Sequence, residues 1–164
     1  MSKPDKAFQD YYPDEFSHCY GCGRLNTHGL QIKSFWDGDE SVCRFQPEPY
    51  HMAIPGFVYG GLIASLIDCH ATGTASAAKY RAEKRGPGSY PPLRFVTASL
   101  HVDYLAPTPI DTTLELRGRI KEITDRKVVV AVDLLANGRP CARGEVVSVL
   151  MPQNMTSKMK QNSG

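Results

Sequence analysis

Hydrophobic residues along the chain follow two spacings, and the changes between them mark out the elements. Residues 29–36 and 40–45 are rich in β-branched and aromatic side chains. Asp37-Gly38-Asp39 lies between them, so the pattern predicts two strands joined by a turn. Residues 46–58 hold three prolines and read as a loop. From Gly60 the period becomes helical: Leu62, Ile63, Leu66 and Ile67 recur on one side, and the pattern runs to near Arg81, before Gly86-Pro87-Gly88. Four more strands follow, at 95–105, 112–123, 127–136 and 140–150, with Asn137-Gly138 as a hairpin signal between the last two. In the first of these the even positions Val96, Ala98, Leu100, Val102 and Tyr104 are apolar. The odd positions include Thr97, Ser99, His101 and Asp103, so one face is expected to pack on the helix and the other to be polar.

The order β-β-α-β-β-β-β predicts an α+β fold, one long helix with a mostly antiparallel sheet. Such a sheet leaves edges and surface to cover, which favours a homo-oligomer. Residues 1–17 read as an ordered lead-in, 18–151 as a single domain, and 152–164, rich in Ser, Asn, Lys and Gln, as a disordered tail.

Composition narrows the partners. A chain of 164 residues, 41% hydrophobic and 22% charged, suits one globular domain. A net charge of +2 gives no argument for nucleic acid. No apolar run approaches the roughly 20 residues that span a bilayer, and the first residues lack the apolar segment of a secretory signal. Five cysteines, an odd number, fit reduced thiols, so a cytoplasmic protein without membrane partners is expected.

The helix carries the candidate chemistry. Gly61, Ala64, Ser65, Asp68, Thr72 and Ala75 fall on one stripe at 3.6 residues per turn. All are small except the acid and the threonine, which leaves room for a ligand against the helix. The amides of the first turn, near Gly60 and Gly61, are free to hold a developing oxyanion. A solvated helix position is the alternative for Asp68. The apolar sequence on both sides of it argues for burial instead, and a buried acid needs partners or a purpose.

Pro55-Gly56-x-Val58-x-Gly60-Gly61 leading into an acid-bearing helix resembles the hotdog-fold acyl-CoA thioesterases, the phenylacetyl-CoA thioesterase-like branch most of all. Also similar are Cys19-Tyr20-Gly21-Cys22-Gly23, Asn26 and Gly29-Leu30 before it. Val96-Thr97-Ala98, Val102-Asp103-Tyr104-Leu105-Ala106-Pro107 and the Asn137-Gly138 hairpin follow it. The resemblance implies a long helix wrapped by a curved sheet, a homodimer or dimer of dimers, and hydrolysis of an acyl-CoA. It implies Asp68 as general base or nucleophile and the Gly60 amide on the thioester carbonyl. Thr97 would orient the water, with Thr72 the second candidate. Tyr59, Gly61 and His51 would line the substrate site, and Arg126 and Lys127 would meet the coenzyme A phosphates. No cofactor is implied beyond the coenzyme A of the substrate itself.

Tyr59 stands where the family usually has histidine. Its hydroxyl can donate to a thioester oxygen but, with a reference pKa of about 10, cannot act as an acid–base group near neutrality. Cys19-x-x-Cys22, with His18 and His28 nearby, invites a zinc or redox reading. A structural zinc needs four ligands and no second Cys pair exists, so a turn without metal is expected. Two other readings stay open: a non-catalytic acyl-CoA-binding protein, and a hotdog hydratase or dehydratase acting on enoyl thioesters.

Overall fold

The computed structural model describes residues 6–162, so the first five residues of the predicted lead-in and the last two of the predicted tail lie outside the described residues. Two 3-10 turns, Phe8–Tyr11 and Asp14–Phe16, precede β1 (Ser34–Asp37) and β2 (Glu40–Phe45). Helix α1 (Gly60–Ala82) is followed by β3 (Phe95–Tyr104), β4 (Leu114–Ile123), β5 (Lys127–Ala136), β6 (Arg139–Leu150) and helix α2 (Gln153–Gln161). The six strands form one antiparallel sheet in the order β1-β2-β4-β5-β6-β3, curved around α1 in the hotdog arrangement. The α+β reading and its element order hold.

The apolar side of α1 makes the core. Leu62, Ile63, Leu66, Ile67, Ala71 and Ala75 pack against Leu114 and Leu116 of β4, Val128, Val130, Val132 and Leu134 of β5, and Ala142 and Val146 of β6. Leu66 and Ile67 are fully buried, so each contributes about 1.5–3 kcal/mol of apolar transfer. The β5–β6 turn uses Asn137 and Gly138 at φ 51° and 75°, the left-handed pair that a two-residue hairpin requires.

Three expectations need correction. The first strand does not begin at Gly29. Gln31 adopts φ 50°, and the Leu30 and Ile32 amides donate to the Tyr20 and Gly21 carbonyls, so this stretch closes onto the Cys19–Cys22 loop rather than onto a strand. The segment after Pro152 is helical, not disordered. Pro152 enters it at φ −64°, and Met155 and Met159 recur one turn apart.

The third correction matters most for function. The even positions of β3 do not share one face. A bulge at Ala98 shifts the register, with Thr97 opposite Ser148 but Ser99 opposite Val147. Phe95 and Thr97 therefore face the helix before the bulge. Leu100, Val102 and Tyr104, opposite the buried Val146, Gly144 and Ala142 of β6, face it afterwards. As the edge strand, β3 leaves Leu100 and Tyr104 exposed.

Candidate active site

Asp68 lies in the third turn of α1, half-buried, with its carboxylate toward the start of β3. The Thr97 hydroxyl donates to Asp68 Oδ1 at 2.5 Å. The Ala98 bulge is what turns Thr97 inward, because without the extra residue the phase of Tyr104 would point it away. Thr72, one turn beyond the acid and buried, donates to the Asp68 carbonyl at 2.8 Å and sits 3.3 Å from Thr97 Oγ1. Both candidate threonines thus converge on Asp68 but in different ways. Thr97 holds the carboxylate, whereas Thr72 holds the helix backbone.

Burial raises the Asp68 carboxyl above the usual aspartate value. The Thr97 hydrogen bond draws it back, neighbouring Cys19 adds to the rise, and the Arg94 charge opposes it. A carboxylate with a raised pKa, one protein donor and an open side is equipped to take a proton from water.

At the start of α1, Tyr59 occupies the N-cap without a side-chain cap, and its amide donates to the His51 carbonyl at 2.9 Å. Among the described residues the Gly60 and Gly61 amides donate to no protein acceptor, so the positive end of the helix is open to an anion. The Tyr59 ring folds over Gly61 so closely that a Cβ there would lie 2.4 Å from ring Cε1, so a larger residue would make this exposed ring swing aside. Tyr104 donates to the Gly60 carbonyl at 2.7 Å and ties β3 to this turn. Ile54, Phe57, Ile63, Tyr104 and Leu105 line an apolar groove of about 510 Å³ beside Gly60.

The remaining candidates stand apart from Asp68. His51 Nδ1 accepts from the Glu48 amide at 2.9 Å, and its ring packs between Phe45 and Tyr50, so it braces the 46–58 loop. Arg126 and Lys127 sit at the β4–β5 turn. Lys127 pairs with Glu122 at 3.1 Å and, opposite Val149, falls on the outer face of the sheet, away from the acid. Arg126 is exposed, its carbonyl accepting from the Leu150 amide. His101 and Asp103 form an exposed pair at 3.2 Å.

Sequence reasoning missed Tyr104 as a contact of the helix start. Its inward side is expected from the even positions of the strand; it is the inward turn of Thr97 that depends on the bulge, which no local pattern announces. Cys69 was missed as well: it follows the acid on α1, yet its partners lie some fifty residues earlier in the chain.

The family described as Thioesterase superfamily matches this sequence over residues 55–142, from the Pro-Gly turn through α1 to β6. The chain belongs to the thioesterase superfamily. A thioesterase superfamily protein from Shewanella loihica PV-4 is 52% identical, with a TM-score of 0.66 over 86% of this chain and all of that one. The acyl-coenzyme A thioesterase THEM4 of Xenopus laevis is 33% identical over 108 residues, 65% of this chain and 43% of the relative. THEM5 of Mus musculus is 31% identical over 110 residues, 66% of this chain and 39% of the relative. The chain thus spans less than half the length of these curated relatives. The PaaI protein of E. coli, 15% identical with a TM-score of 0.60, covers 75% of this chain and 81% of its own, and shares the fold. Superfamily membership agrees with the resemblance read from the Gly60-Gly61 and Asp68 pattern. None of the described helices is long and apolar enough to cross a membrane.

Proposed function

We propose that this chain hydrolyses an acyl-CoA thioester to the free acid and coenzyme A. The observation that carries the reading is the Asp68–Thr97 pair, a half-buried carboxylate of raised pKa held at 2.5 Å by one hydroxyl beside a stripe of small residues. Asp68 takes the proton of a water that attacks the thioester carbonyl. The Gly60 amide receives the developing oxyanion, and the coenzyme A thiolate leaves. The relatives named as acyl-coenzyme A thioesterases support the substrate class.

Distance along the helix supports a site shared between two copies. Asp68 lies eight residues after Gly60, about 12 Å along the helix axis, which is too far for both to serve one carbonyl from the same chain. A second copy that brings its own α1 alongside supplies the missing half. The exposed edge of β3, with Leu100 and Tyr104, is the surface for that pairing. The apolar groove beside Gly60 takes the non-polar part of the substrate. Arg126, exposed at the sheet end where β3 begins, meets the phosphates, whereas Lys127, on the outer face and paired with Glu122, is not needed for them. Tyr59, over the helix start, offers its hydroxyl as a donor where the family has histidine.

The test is release of free thiol from a panel of aromatic, short-chain and long-chain acyl-CoAs. The parent releases coenzyme A from at least one of them, and Asp68→Asn lowers that rate by ~10²–10⁴-fold with melting unchanged. Undiminished turnover in Asp68→Asn overturns the mechanism. Binding without release from every substrate overturns the activity in favour of an acyl-CoA-binding protein.

A further inference from the structure

Behind the acid lies a group of side chains that the proposed hydrolysis does not use. Cys69 follows Asp68 on α1, and its sulfur is 3.7 Å from Cys19 Sγ. Cys22 completes the group, and all three sulfurs lie within 4.8 Å of one another. Cys22 is buried, whereas Cys19 and Cys69 are half-buried, so the open side of the triangle faces outward.

Local geometry brings the three together. The Cys19–Cys22 loop folds back on itself, with the Gly23 amide donating to the Cys19 carbonyl at 2.8 Å and the Leu25 amide to Ser17 at 3.0 Å. A Cβ on Gly21 would stand 2.2 Å from Cys69 Sγ, so glycine is what lets the loop close on the helix. The expectation of a turn without metal counted two sulfurs in the sequence. The fold supplies a third from a segment 47 positions further on.

From this geometry we infer that Cys19, Cys22 and Cys69 form a binding site for one soft or borderline divalent cation of the zinc type. Tetrahedral zinc–thiolate bonds of about 2.3 Å place their sulfurs ~3.8 Å apart, and Cys19 and Cys69 already stand at 3.7 Å. Three thiols give up three protons as they bind the ion, and water takes the fourth position on the exposed side. Three thiolates and a divalent cation carry a net charge of −1. The Arg94 guanidinium, whose charge reaches all three sulfurs and whose buried Nη1 has no hydrogen-bond partner, offsets it. The bound ion clamps the Cys19–Cys22 loop to the helical turn that carries Asp68.

Titration of the reduced, metal-free full-length chain with cobalt(II), followed by displacement with zinc(II), tests the site independently of any thioester activity. One cobalt per chain with a thiolate-to-metal charge-transfer band is expected, lost on adding zinc. Cys69→Ser weakens binding by about a hundredfold or more, and Cys141→Ser, outside the cluster, leaves it unchanged. Should Cys69→Ser fail to melt cooperatively, Cys19→Ser at the half-exposed position carries the same expectation. Zinc also raises the melting temperature of the parent and not of the Cys69→Ser or Cys19→Ser chain. Absence of the charge-transfer band overturns the site, as does a Cys69→Ser or Cys19→Ser chain that binds as tightly as the parent. A reduced chain that forms a Cys19–Cys69 disulfide in air yet takes no metal overturns it too.

Discussion

Two polar groups stand two residues apart on α1 and have opposite fates. His70 is fully buried, with Nδ1 2.9 Å from Ser34 Oγ and Nε2 3.0 Å from Ser41 Oγ. Thr74 closes the set, 2.7 Å from both Ser41 Oγ and the His70 carbonyl. Every polar atom of the imidazole is spoken for, and burial pushes its pKa down to about 4, so it stays neutral. Asp68 is only half-buried, has one side-chain donor for its carboxylate, and is raised rather than silenced. A saturated polar group specifies packing, and an unsaturated one at the edge of the core is available for chemistry. A difference of 200° around one helix separates the two.

The contrast can be broken from either side. The largest effect on stability comes from His70→Ala, which removes the hydrogen-bond partner that Ser34 and Ser41 share, leaves those hydroxyls with Gln9 and Thr74 alone, and opens a buried cavity. It costs about 3–5 kcal/mol in urea unfolding, while the turnover of the folded fraction is unchanged. A chain that unfolds at the parental midpoint would refute the structural role.

Acid acts next through the same residue. Unfolded His70 takes its proton near pH 6.5, whereas the folded chain refuses it until about pH 4. The contribution of His70 is therefore complete above pH 6.5 and is lost as the pH falls towards 4, a change of about 3 kcal/mol. Unfolding measured across this range in the parent and in His70→Gln checks it, since the slope flattens in the variant.

Thr97→Ala has the smallest expected effect and probes the other cluster. Removing a hydrogen bond to a charged carboxylate costs ~1.5–3 kcal/mol, roughly a 10- to 100-fold fall in kcat/KM. That hydrogen bond holds the Asp68 pKa down, so the acid limb of the pH–rate profile also moves to higher pH, and Thr97→Ser restores it. An unmoved limb would assign Thr97 to packing alone.

The sequence made visible whatever depends on neighbours within a few residues. The period of Leu62, Ile63, Leu66 and Ile67 announced α1, Asn137-Gly138 announced the β5–β6 turn, and the apolar run around Asp68 argued for a buried acid, which the fold leaves half-buried. Thr97 as its partner came from the resemblance, not from spacing. What stayed hidden depends on contacts between distant segments. The meeting of Cys69 with Cys19 and Cys22, the serines that saturate His70, and the reversal of faces within β3 all arise from how the sheet closes around the helix. Gln31 was misread because its left-handed backbone serves the Cys19–Cys22 loop, a need that its own neighbours do not express.

The extra residue at Ala98 has a consequence for how this strand tolerates change. It cuts one ten-residue ribbon into two segments whose inward positions are counted separately: Thr97 in the first answers to the acid, and Tyr104 in the second answers to the helix start and its groove. Substitutions that reshape the groove for a different guest can therefore accumulate in the second segment without disturbing the alignment of the first. Deleting that single alanine would fuse the two counts and turn one segment inside out.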